Sequence, residues 1–72
     1  MIFNKKRIEV KNGIIPYDEI KNEKNITFII ITDDMEVLEA SINAIAKEYE
    51  KDTSRTFNVV ISRSYIKIKD IM

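Results

Sequence analysis

The chain has 72 residues, with twelve basic and twelve acidic side chains, no cysteine, no histidine and a single glycine. That length holds one small domain, residues 1–72, and such domains bury only roughly 60% of their unfolded surface. The missing residue types exclude disulfides, thiolate metal sites, cysteine nucleophiles and Ser-His-acid triads, and a lone glycine excludes a glycine-rich phosphate loop.

No cofactor or metal site is therefore expected. Of the usual supports for so short a chain, self-association is the one left. The N-terminus, MIFNKKR, becomes charged before any apolar run develops, so no signal peptide is expected. The longest apolar run, Phe28 to Ile31, falls far short of the ~20 residues of a membrane span. The expected compartment is the cytoplasm, with no membrane partner. Charge is polarised along the chain. Residues 1–11 carry +3 (Lys5, Lys6, Arg7, Lys11 against Glu9). Residues 33–52 carry −5 (Asp33, Asp34, Glu36, Glu39, Glu48, Glu50, Asp52 against Lys47, Lys51), and residues 53–69 carry +4 (Arg55, Arg63, Lys67, Lys69).

In chain order, RIEVK (7–11) alternates apolar and charged residues, the period of a half-buried strand. Asn12-Gly13 is a strong hairpin signal, because both central positions of a type I′ turn want positive φ. Pro16 has no donor for a ladder, so a returning strand would be short and at an edge. The favoured reading is a turn and an irregular connection, in which Pro16-Tyr17-Asp18-Glu19 can open a helical turn. After the polar loop KNEKN, the stretch ITFIIIT reads as a central strand that is apolar on both faces. Ile26, Phe28 and Ile30 share one face; Thr27, Ile29 and Ile31 share the other.

A helix follows, with Asp33 as the expected cap and Glu36 three residues on, where a capping box wants an acid. Its expected apolar stripe is Met35, Leu38, Ile42, Ile45 and Tyr49, flanked by Ser41 and Ala46. Glu36, Glu39, Glu48, Glu50 and Asp52 form an acidic, solvated surface. The last segment, TFNVVISRSYIKIKD, is β throughout, but Phe57, Val59 and Ile61 fall out of phase with Ile66 and Ile68. A bulge near Ser62 in one long strand is favoured over a hairpin about Arg63-Ser64, which lacks turn residues.

The expected fold is α+β: one amphipathic helix packed on a small, mainly antiparallel sheet of three to four strands. One helix covers one face of ITFIII. The other face, with Ile29, Ile31, Val60 and Ile66, is the candidate dimer interface, unless residues 13–20 fold over it.

Asp33, Asp34 and Glu36 are explained by capping and by the helix dipole, without a metal. Absent histidine and cysteine also argue against an enzyme. The basic residues Lys5, Arg7 and Lys11, and Arg63, Lys67 and Lys69 around Tyr65, would form a cationic face if the first and last strands were neighbours. Such a face can hold phosphates and stack bases.

The stretches RIEVKNG, ITFIIITDDMEVLEASINAIAKEYEK and FNVVISRSYIKIKD together resemble the small YopT-like proteins of Bacillus prophages. That resemblance implies a homodimer of one-helix, three-strand subunits with no assigned activity and no site residues. The functional expectation is a non-enzymatic, homodimeric protein-interaction module of phage or prophage type, its protein partner unknown. A nucleic-acid-binding accessory protein using the basic sheet face is the alternative.

Overall fold

The computed structural model describes residues 6–63. Five elements follow one another: β1 (Lys6–Glu9), α1 (Tyr17–Ile20), β2 (Asn25–Ile31), α2 (Met35–Lys51) and β3 (Thr56–Ser62). The strands form one sheet in the order β1-β2-β3, and both pairings are parallel. The fold is small and α+β in content, but the expected antiparallel sheet is corrected to an all-parallel one.

The reason lies in the connections. Residues 10–24 and 32–55 are each long enough for a crossover, which parallel neighbours require and hairpins do not. Asn12 and Gly13 do make the tight turn, with φ of 54° and 75°, and the Ile14 amide donates to the Lys11 carbonyl at 2.9 Å. No strand returns from it. Pro16 instead precedes the short helix α1, whose amides at Glu19 and Lys21 bond back to Pro16 and Tyr17. The two-sided apolar pattern of β2 suits a central parallel strand, with Ile8 beside Phe28 on one flank and Val59 on the other.

Strand order 1-2-3 means that both crossovers advance in the same direction, so right-handed connections put both on one face. The core agrees. Ile15 and Ile20 from the first crossover and Ile45 from α2 join Ile8, Val10, Ile26, Phe28 and Ile30 in one cluster. Residues 13–20 thus pack on the helix-bearing face and leave the other one alone. Gly13 lies so close to α2 that a Cβ there would come within 3.0 Å of the Ala40 Cβ.

Helix α2 differs from expectation at its cap and in its phase. Asp34, one residue later than expected, is the N-cap. Its carboxylate accepts from the Glu36 amide at 2.9 Å, while its own amide donates to the Thr32 hydroxyl at 3.0 Å. The buried positions are Ser41, Ile45 and Glu48, with Leu38 and Ala44 packed beside them. Met35 is 71% exposed, and Ile42 and Tyr49 are exposed as well. The inner face is rotated away from the most apolar stripe. Ser41 fits there because its hydroxyl donates to the Val37 carbonyl at 2.8 Å.

Candidate interaction surface

The rotation of α2 is fixed by a charged cluster below its C-terminal half. Glu48 and Arg55 are both buried, and the Arg55 guanidinium donates to a Glu48 carboxylate oxygen at 3.1 Å. The same side chain donates to the Ile20 carbonyl at 2.8 Å and the Glu23 carbonyl at 3.1 Å. One planar fork therefore ties the end of α1, the loop after it and α2 to the start of β3. Lys51 pairs with the second Glu48 oxygen at 3.1 Å and lies 5.0 Å from the Tyr17 ring centre. By sequence pattern Glu48 belongs with the solvated acids of the helix. Nothing in its local pattern marks it as buried, because its partner Arg55 lies beyond the helix.

Beyond that clasp, α2 turns an apolar flank outward over β3. Phe57 meets Phe28 edge-on at 4.9 Å and Tyr49 at 5.7 Å, with the Arg55 guanidinium 5.1 Å from its ring. Between helix and strand runs an open groove of about 490 Å³, lined by Ile42, Ile45, Ala46, Tyr49 and Phe57, with Arg55 and Thr56 at one end. Val59 and Ile61, in register with Phe28 and Ile30, are 43% and 50% exposed on this same face. Asp52, just past α2, accepts from the Ser54 hydroxyl at 2.6 Å and the Ser54 amide at 3.0 Å, which lowers its carboxyl pKa below the ordinary value.

The opposite sheet face shows less apolar surface. Ile29 is only 4% exposed, and Ile31 and Val60 are half-buried. Ile66, the fourth residue of the expected interface, lies outside the described residues.

Of the expected cationic face, Arg7, Lys11 and Arg63 are exposed, whereas Lys5, Tyr65, Lys67 and Lys69 lie outside the described residues. The phase question between Ser62 and Ile68 lies there too. Strand β2 separates β1 from β3, so Arg7 and Arg63 belong to opposite edges and the neighbouring strands on which that face depends are not neighbours. Lys11 and Arg63 both follow the carboxyl ends of their strands. Between the ends of β1 and β2 lies a second cleft of about 480 Å³, lined by Glu9, Lys11, Asn12, Thr32 and Asp34 among others.

Asp33, Asp34 and Glu36 do not converge, and no group of three or more potential metal ligands occurs among the described residues. No helix among them is long and apolar enough to cross a membrane. Comparison with protein families, with curated proteins and with solved structures finds no match for the chain.

Proposed function

We propose that the chain is a non-enzymatic protein-interaction module of the cytoplasm that works as a homodimer, in keeping with its resemblance to small prophage proteins. The observation that carries this reading is the outward apolar flank of α2 and β3. Ile42 and Tyr49 stand exposed along a groove, and Val59 and Ile61 are exposed farther along β3, a larger contiguous apolar surface than a small monomer ordinarily shows. The lack of histidine and cysteine supports the non-enzymatic part of the reading.

The test is mass by light scattering across a hundredfold dilution, for the wild type and for an Ile42→Glu, Ile61→Lys variant. A wild type at twice the 8.5 kDa chain mass is expected. The variant should be monomeric with an unchanged far-ultraviolet dichroism spectrum, because both positions are already exposed. A wild type that stays monomeric at the highest concentration sinks the homodimer reading.

A further inference from the structure

We infer that the groove between α2 and β3 is filled by α2 of a second copy, antiparallel across a two-fold axis through Ile42. The inference rests on the interaction reading above and names its partner and geometry.

Along the flank, the exposed Met35, Ile42 and Tyr49 stand seven residues apart, with Leu38, partly buried against the core, and the exposed Ala46 between them, so that the spacings of 3, 4, 4 and 3 read the same in both directions. A two-fold axis at Ile42 therefore sets Met35 against the partner copy's residue 49, Leu38 against its residue 46, and Ile42 against itself. Each pair is apolar, and the bulky members meet bulky or small ones in a regular alternation.

Charge selects the same direction. The N-terminal half of the helix carries Asp34, Glu36 and Glu39, a balance of −3. Its C-terminal half, counted likewise with its cap, carries Lys47, Glu50, Lys51 and Asp52, a balance of 0, since Glu48 is already paired with Arg55. An antiparallel pair brings −3 beside a neutral half twice, and sets Glu39 within about 3 Å, along the axis, of the level of residue 47 in the other copy. A parallel pair would put −3 beside −3. The macrodipoles favour the antiparallel arrangement as well. Val59 and Ile61, exposed on β3 beyond Phe57 and in register with Phe28 and Ile30, extend the apolar surface along the strand. An isologous contact of this kind closes on itself, so the assembly stops at two copies.

The absence of cysteine gives a clean test. Ile42→Cys places one thiol per chain at the axis. With the helices about 8–10 Å apart there, the two Cβ atoms come within disulfide reach. Mild oxidation should convert most of the dimer to a reduction-sensitive covalent dimer. Lys47→Cys, whose two copies would stand roughly 15 Å apart along the axis, should not cross-link. Met35→Cys and Tyr49→Cys should cross-link when mixed, and neither should do so alone.

Light scattering on the same samples separates the failures. A dimer by mass that does not cross-link at residue 42, or cross-links equally at residue 47, overturns this geometry and leaves the interaction reading standing. Monomers by mass overturn both.

Discussion

Replacement of Arg55 by alanine tests the physical account of the fold most directly. The Arg55 and Glu48 side chains are each only 8% exposed, so neither is screened as a surface ion would be. Removing one partner of a buried pair costs about 3–5 kcal/mol, and the low end applies here because Glu48 keeps its pair with the largely exposed Lys51. The Ile20 and Glu23 carbonyls lose a charged donor in the same step, adding roughly 1 kcal/mol each if water only partly replaces it. A domain of this length holds roughly 4–11 kcal/mol in total. Arg55→Ala therefore removes half of the stability or more.

With a urea dependence of about 1 kcal/mol per molar, a loss of about 5 kcal/mol lowers the unfolding midpoint by about 5 M. Arg55→Lys should recover less than half of the loss, since a point ammonium cannot reach three acceptors held in a planar fork. The double variant Arg55→Met, Glu48→Leu should lose less than Arg55→Ala, because no charge is left stranded. The assay is urea unfolding followed by far-ultraviolet dichroism. An Arg55→Ala midpoint within about 0.5 M of the wild type would refute the reasoning, and would mean a pair worth no more than the ~0–1 kcal/mol of a surface bridge.

Two smaller perturbations probe other parts of the structure. Gly13→Ala forces a side chain into the left-handed region at φ 75° and against Ala40, and should cost about 1–2 kcal/mol in the same urea assay, whereas Asn12→Gly should change little. An alanine variant as stable as the wild type would show that α2 yields easily. The Ser54 bonds hold the folded Asp52 carboxyl below its ordinary value of 3.8, so their stabilisation is fully present above that pH and is lost as pH falls through the folded value. Ser54→Ala should therefore be less stable than wild type near neutrality, with the gap closing in acid; a gap that is constant down to about pH 2 would assign the effect to something other than this carboxylate.

Element content was legible in the sequence where periodicity is local. The β2 strand, the 35–51 helix, the Asn12-Gly13 turn and the helical opening at Pro16 all follow from neighbouring residues. Strand direction was not so legible. The hairpin signal is real, but the chain spends it on a turn inside a crossover, and the two-faced apolar run of β2 was itself the clue to parallel pairing.

The phase of α2 was misread for a related reason. Apolar counting favours the line through Met35, Ile42 and Tyr49, while the structure buries Ser41 and Glu48. Their burial depends on a backbone acceptor one turn away and on Arg55, which follows the helix, and neither is visible to a hydrophobicity pattern. The candidate groove is the direct result of that rotation. Of the five residues of the expected stripe, Leu38 and Ile45 do pack on the core, while Met35, Ile42 and Tyr49 stand exposed.

The parallel sheet also governs the order in which the domain can assemble. Among the described residues, β1 offers β2 four paired positions and β3 offers seven, and neither neighbour can be reached without closing a long loop. Chains built from such non-local pairings fold slowly for their size. The strand with the longer ladder is also the last of the described strands, immediately after Arg55. Until that segment is made, Glu48 has no guanidinium and the Ile20 and Glu23 carbonyls have no donor. A growing chain therefore has no stable halfway stage. It acquires its core in one step, once the last strand is available, and its apolar segments stay accessible to other chains until then.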